Sequence, residues 1–346
     1  MSIASSKPTI TRKELEGVLD CLINDELDKG AIIRNFEAKI SELTGYKYAL
    51  AVNTLTAAYH LAFRALEISP GDEVVMPSYF DAAPLCALSL TGSVPVLADN
   101  DADSYCPGTE QFREKISDKT KAVVAGHMFG FTRDLAPLAE LNLPVIEDLS
   151  HCLGCPLPEG AAPRQSALCV ASFAPAMMIT TGNGGIVLTN NSRFYSVMKE
   201  LRGNSGKTPS LHYDYIMTDF QGAMGISQVN KLPALLQRRR EIATVYYNAL
   251  RITSHRVFYT FSDHFAYQSF PVLFDAPVER VEKYWKKTGI DLARPVATPL
   301  HAYIEQKGME YPHSDRLSKK LYSLPIYPTL TKREIDKIAR SLSNFI

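Results

Sequence analysis

Tyr48-Ala49-Leu50-Ala51-Val52-Asn53-Thr54-Leu55-Thr56-Ala57-Ala58-Tyr59-His60-Leu61-Ala62-Phe63-Arg64-Ala65 changes period in its middle. The apolar run over residues 48–52 has strand length. After Asn53-Thr54 the apolar residues fall at helical spacing, at Ala57, Ala58, Leu61, Ala62 and Ala65. The same alternation continues outward. Glu73-Val74-Val75-Met76, entered through Pro70-Gly71-Asp72, reads as the next strand. Val94-Pro95-Val96-Leu97-Ala98, Ala122-Val123-Val124-Ala125 and Pro144-Val145-Ile146 follow. Each is separated from the last by enough chain for a crossover helix, which predicts an α/β fold with a mostly parallel sheet covered on both faces.

Two further strands are expected at residues 168–173 and 185–189. A long helix is expected at 219–250, interrupted at Pro233. Beyond His255 a smaller α+β texture follows, with strands at 270–274 and 290–293 and helices near 278–287 and 332–344. An N-terminal helix is expected at 12–24. We therefore expect an N-terminal segment (1–30), a large domain (31–250) and a small C-terminal α+β domain (251–346).

The chain has 346 residues, with 37 Lys+Arg balanced by 37 Asp+Glu. That balance gives no broad basic footprint, so no nucleic-acid partner is expected. Arg238-Arg239-Arg240 beside Glu241 reads as a solvated helix face. No run of about 18 apolar residues occurs, so no membrane span is expected. The N-terminus lacks the apolar core of a signal peptide. Six scattered cysteines fit reduced thiols and a cytoplasmic location. Cys152-x-x-Cys155 lacks a second pair, and no metal is expected there.

Ligands of open α/β sheets gather at the carboxyl ends of strands. Here those ends carry Thr56, Phe80-Asp81, His127, Asp148, His151 and Ser172. Thr56 reads as a phosphate holder or a helix cap, and Asp148 as a cap or a site carboxylate.

The order of these pieces resembles the DegT/StrS family of sugar aminotransferases, fold type I enzymes that use pyridoxal phosphate. The resemblance runs from about residue 32 to 346. It is carried by Pro70-Gly71-Asp72-Glu73, Gly92-Ser93-Val94-Pro95-Val96, His127 with Gly130, and Glu147-Asp148 leading to Gly154. Ser172-Phe173 leading to Gly184-Gly185, Met217-Thr218-Asp219-Phe220-Gln221, Pro299-Leu300-His301 and Leu324-Pro325-Ile326-Tyr327-Pro328 complete it. It implies an aspartate-aminotransferase-like large domain, a homodimer, and a sugar or nucleotide-sugar ligand. It also implies roles: Asp148 as partner of the pyridine nitrogen, and Thr56 and Ser172 as phosphate holders. His151 stands where a glutamine usually faces the ring hydroxyl.

The lysine that the family uses to hold its cofactor falls on Met177, and no lysine occurs between Lys121 and Lys199. A thioether forms no Schiff base and carries no proton. Other departures fall on the same pocket. Leu55 replaces a glycine, Asp81 replaces the ring-stacking aromatic with Phe80 one residue early, and Asp214 replaces an asparagine that reaches the phosphate. These changes lead to the expectation of a degenerate homologue that has lost transamination. No cofactor is then held covalently, and pyridoxal or pyridoxamine phosphate is at most held noncovalently. Altered chemistry is the first alternative, with His127 and His151 as candidate acid and base. An active aminotransferase using a lysine from elsewhere, such as Lys207, is the second. Met177 and Met178 are expected to close the unused lysine position, and His151 or Arg202 to partner Asp148. His301 matches a family loop near the substrate.

Overall fold

A computed structural model describes residues 2–28, 30–157, 166–203, 212–304 and 308–345. The chain begins with helices α1 (Arg12–Ile23) and α2 (Ala31–Thr44), and then enters β1 (Tyr48–Val52) and α3 (Leu55–Ala65). Next come β2 (Glu73–Pro77), α4 (Ala83–Ser89), β3 (Val94–Ala98), α5 (Thr109–Arg113), β4 (Thr120–Gly126), β5 (Val145–Asp148), β6 (Leu168–Ser172) and β7 (Gly185–Thr189). These strands form one sheet in the order β1-β7-β6-β5-β4-β2-β3. Strand β7 runs antiparallel to β1 and β6, and the remaining pairs are parallel. Strands β4 to β7 in the middle of the sheet are buried on both faces except at Lys121 of β4, and their apolar stretches fit that burial.

Two expectations about the connections fail. The link from β3 to β4 carries only the short α5, and the link from β4 to β5 carries two 3-10 segments, Met128–Gly130 and Ala136–Leu141. Pro137, Pro144 and the left-handed Asn142 leave no room there for a regular helix. Helix α6 (Ser192–Arg202) then leads on toward α7 (Asp219–Leu250). Pro233 does not interrupt α7. It stands exposed, so the carbonyl one turn back that loses its donor can be hydrated.

The rest of the chain is β8 (Phe270–Leu273), α8 (Val278–Thr288), α9 (Pro312–Lys320), β9 (Leu321–Leu324) and α10 (Lys332–Ser343). Strand β8 pairs antiparallel with β9. The strand expected at 290–293 is absent; Ile290 and Ala293 make isolated bridges to Ile3 and Ser323 instead. Strand β9 is hidden in the sequence because α9 runs into it without a turn residue. The resulting order is α/β with an added two-stranded α+β layer.

Local chemistry explains how the sheet presents its carboxyl edge. Thr54 caps α3 by accepting the Ala57 N–H at 3.0 Å, which leaves the first turn of α3 facing that edge. α3 is buried nearly all round, from Ala57 to Phe63, because it lies inside the layer. Gly185 lets the start of β7 approach this cap: a Cβ there would fall 2.5 Å from the Thr54 carbonyl oxygen. Gly126 at the end of β4 does the same for the Phe80 ring, which a Cβ would meet at 2.8 Å. Both glycines bring walls of the site together.

Candidate active site

A cavity of about 320 Å³ opens at the carboxyl ends of β2, β4, β5 and β6. That size lies at the lower end of small-molecule sites. Its walls include Leu55, Thr56, Phe80, Asp81, His127, Asp148, His151, Ser172 and Met177, so residues spread over more than a hundred positions converge. A second chamber of about 250 Å³ adjoins it and shares Asp81, Met128, His151 and Met177 with the first. Lys7, Arg239, Gln268 and Arg294 line its far side.

Asp148 ends β5 and is 5% exposed. Its Oδ1 accepts the Ser150 N–H at 2.7 Å and its Oδ2 accepts the Tyr59 hydroxyl at 2.7 Å. Burial raises its pKa; the hydrogen bonds from Ser150 and Tyr59 pull the other way and do not win. Neither expected partner reaches it. Arg202 donates from Nη1 to Glu37 at 2.7 Å and to the Ala51 carbonyl at 2.9 Å, which ties α6 to α2 and β1. The Nδ1 of His151 is taken by the Phe129 N–H at 3.0 Å. The real partner, Tyr59, escapes sequence reasoning because a tyrosine inside a buried amphipathic pattern looks like core. Its place one turn after Thr56 is the available signal.

The two histidines differ. His127 bonds through Nε2 to Glu147 at 2.8 Å, and its Nδ1 accepts the Arg133 N–H at 3.2 Å. A backbone N–H only donates, so Nδ1 carries the lone pair and Nε2 the hydrogen. Both ring nitrogens are therefore engaged, and His127 has none to offer a ligand. His151 has the same tautomer through Phe129, but its Nε2–H meets no partner among the described residues. Burial lowers its pKa to about 4, with Asp81 opposing and His127 adding to the fall. At neutral pH its uncharged ring presents the Nε2–H as a hydrogen-bond donor on the wall between the chambers. Phe129, whose N–H sets this tautomer, is a fully buried residue in the left-handed region at φ 64°. Such backbone costs on the order of 1–3 kcal/mol and persists only where its surroundings hold it.

The remaining positions are placed as follows. Thr56 lines the cavity in the first turn of α3, where unpaired N–H groups and the helix dipole favour an anion. Ser172 Oγ accepts the Ala174 N–H at 3.2 Å and faces the same wall. Leu55 occupies part of that wall. Asp81 is exposed and accepts the Ala83 N–H at 2.7 Å, while Phe80 turns inward. Met178 is buried in core, whereas Met177 lines both chambers without filling either. Asp214 is exposed, at φ 52°, and lines neither chamber of the chain by itself. Lys207 lies outside the described residues. His301 is tied into a contact between layers: Nδ1 meets Ser78 Oγ at 2.6 Å and Nε2 meets Asp315 at 3.2 Å. Ser78 is fully buried, so this Ser–His–Asp line presents no nucleophile to a ligand.

The residues present fit a phosphorylated pyridine in three respects. Among the described residues the buried Asp148 carboxyl has no cationic partner, and a helix N-terminus with Thr56 and the serine Ser172 line the same cavity. Met177 lines the wall shared by the two chambers, and among the described residues no lysine lines the first.

Residues 8–343 match the sequence profile described as the DegT/DnrJ/EryC1/StrS aminotransferase family. GDP-perosamine synthase of Escherichia coli O157:H7 is 30% identical, over 98% of this chain and 97% of that protein. The enzyme of the same name from Caulobacter vibrioides is 28% identical over 99% and 98%. Among solved structures, the aminotransferase TlmJ from Streptoalloteichus hindustanus superposes with a TM-score of 0.91 at 24% identity, covering 100% of this chain and 99% of that one. Helicobacter pylori PseC, an aminotransferase involved in pseudoaminic acid biosynthesis, gives 0.90 at 24% identity with the same coverage. By sequence profile over nearly its whole length, the chain belongs to the DegT/DnrJ/EryC1/StrS aminotransferase family.

Proposed function

We propose that this chain is a degenerate sugar aminotransferase that keeps the ligand cavity of its family and has lost transamination. The observation that carries this reading is Met177 on the wall shared by two open chambers, with no lysine lining the first among the described residues. Losing a positioned general base alone costs about 10²–10⁴ in rate. The relatives' names support a nucleotide sugar as the ligand class, within a nucleotide-sugar, polysaccharide or natural-product pathway. Bound pyridoxal phosphate supplies an electron sink in aminotransferases. In this chain Asp148 would hold the ring nitrogen, Thr56 and Ser172 the phosphate, and the His151 N–H a ring oxygen. None of them replaces the lysine as a proton carrier.

An open cavity with these residues favours a second reading, noncovalent use of pyridoxal or pyridoxamine phosphate in altered chemistry. A homodimer is part of the proposal. Its support is an exposed apolar stripe on α1, made of Leu15, Leu19, Leu22 and Ile23. A cytoplasmic location accords with the absence, among the described residues, of any helix long and apolar enough to cross a membrane.

Absorbance and borohydride trapping test the proposal. Wild-type protein incubated with pyridoxal phosphate should give no cofactor fixed to a lysine of this cavity and no amine transfer to a nucleotide keto-sugar. M177K should gain a reducible adduct at residue 177. Turnover by the wild type, or an adduct on one of its own lysines, overturns loss of transamination. Turnover that needs saturating noncovalent cofactor selects the second reading.

A further inference from the structure

Arg239 belongs to a run whose sequence reads as a solvated helix face, yet it is 6% exposed. Its Nη1 donates to the carbonyls of Tyr267 and Gln268, each at 3.0 Å, which ties Tyr267 to α7. The Tyr267 hydroxyl accepts the Ser262 N–H at 2.9 Å. Its ring lies 5.8 Å from that of Phe261 and within 12° of parallel. Tyr267 is fully buried, whereas Phe261 is 37% exposed. A ring backed by fixed structure is thus open to solvent.

Phe261 lines a cavity of about 390 Å³ between the last turn of α7 and residues 255–261, a size within the range of small-molecule sites. It shares no lining residue with the two chambers at the carboxyl edge of the sheet. Tyr247 and Tyr259 are its other aromatic residues, and the Tyr247 hydroxyl donates to the Tyr259 carbonyl at 2.8 Å. Tyr247 meets Phe261 edge-on at 5.9 Å. Rings fastened in this way lose little freedom when a ligand is laid against them. Charge decides which ligand fits. Arg251 and Arg256 line the cavity and are exposed, and no carboxylate pairs with either among the described residues. No acidic residue is found in its wall among them. His255 also lines it but is spent: Nε2 donates to the Phe345 carbonyl at 2.7 Å, and Nδ1 accepts the Asp275 N–H at 3.3 Å. The carboxyl end of α7 opposes an anion with about half a charge. Thr253 takes up the Leu250 carbonyl there and Ser343 that of Ala249, and two whole cations outweigh what remains.

We propose that this cavity binds a small aromatic anion, a planar ring that carries a phosphate ester or a carboxylate. The ligand's ring stacks in the aromatic wall formed by Phe261 and Tyr247, and Arg251 and Arg256 receive the anionic group. Neither feature suffices alone, since a ring without charge forgoes the arginines and a bare anion forgoes the stacking. The site stands apart from the carboxyl edge of the sheet, and it needs neither Met177 nor a cofactor. It therefore goes beyond the loss of transamination and does not depend on it.

Calorimetric titration of the full-length wild-type protein at low salt, with naphthyl phosphate in one arm and naphthoate in the other, tests this site. Saturable binding is expected in at least one arm, weakening as salt rises. Naphthyl phosphate alone assigns a phosphate ester, and naphthoate alone assigns a carboxylate. Inorganic phosphate and naphthol, each holding half of the ligand, should bind about tenfold more weakly or less. R251A, R256A and F261A all change exposed side chains, and each should weaken binding about three- to tenfold. F261Y, which keeps the ring, should retain affinity, and T56A should leave it unchanged. The inference is overturned by no saturation in either arm, or by inorganic phosphate or naphthol binding as tightly as the joined compound. It is equally overturned by binding that T56A weakens while R251A, R256A and F261A do not, which would place the ligand at the carboxyl edge of the sheet.

Discussion

The hydroxyl of Tyr59 and the Ser150 N–H hold the two oxygens of Asp148 from opposite sides, at 2.7 Å each, and no cation among the described residues completes the set. Asp148 is thus a carboxyl whose ionised form is solvated by two hydrogen bonds and little else. Its raised pKa has a definite sign in linkage. A carboxyl with a folded pKa above its unfolded value costs no stability at low pH and costs progressively more as pH rises through that window. The side-chain amide introduced by D148N can accept from Ser150 and donate to Tyr59. D148N should therefore be at least as stable as wild type at pH 7, measured by urea unfolding, while binding pyridoxal phosphate more weakly. A D148N protein that is clearly less stable would mean that the carboxylate has a charged partner in solution.

Removing Tyr59's hydroxyl does the reverse. Y59F leaves Oδ2 of a buried carboxyl unsatisfied, at a cost of about 1–3 kcal/mol. Denaturant midpoints should show that loss at pH 7 and a smaller one at pH 4, where more Asp148 is protonated.

His60 lies against Tyr215, 2.8 Å from its hydroxyl, and burial lowers its pKa to about 4. The unfolded chain binds this proton near pH 6.5, so stability is complete above that value and is lost as pH falls toward 4. The fall is worth roughly 3 kcal/mol at full extent, at about 1.36 kcal/mol per unit. His151 contributes in the same direction. H60Q should flatten the acid limb of a stability–pH profile; an unchanged limb would place the acid sensitivity elsewhere.

His127 and Glu147 form a buried pair, both side chains at most 1% exposed. H127A should cost about 1–3 kcal/mol, because Glu147 Oε1 loses the His127 N–H while Oε2 keeps the Ser166 hydroxyl. The loss should appear in thermal melts with ligand absent. A normal melt coupled to lost ligand binding would return His127 to the list of site residues.

Leu55 and Thr56 act oppositely on a phosphate at the first turn of α3. L55G should strengthen binding of pyridoxal phosphate and T56A weaken it, each by about three- to tenfold in titrations. L55G should also lower stability by about 1 kcal/mol through helix propensity.

Much of this architecture is open to reading from residue order alone. Short apolar runs bounded by turn residues announce strands, so residues 48–52, 73–76 and 94–98 are legible, whereas the antiparallel pairing of β1 with β7 is not. β9 is not, since Leu321-Tyr322-Ser323-Leu324 follows a helix without punctuation. The cavity's membership is legible through strand ends, and Thr56, Asp148, His151, Ser172 and Met177 do converge. Their partners are not. Whether Asp148 meets a tyrosine or an arginine depends on which turn of α3 faces β5. Whether Arg239 is solvated depends on a loop nearly thirty residues away that covers it. Periodicity along one element carries no such information.

Residue 129 has a consequence for how this lineage can change. Its backbone, at φ 64°, suits glycine, while its ring packs on Tyr105 at 4.9 Å and lies parallel to His151 at 6.2 Å. A glycine would relax the chain and leave a void; any other side chain would keep the strain and lose the fit. Neither step improves one demand without losing the other, so point mutation leaves the position where it is. The orientation of His151, fastened to the amide of that residue, is inherited along with it. The imidazole is thereby held in place by a constraint that acts on a neighbour's torsion angle, whether or not any ligand selects for it.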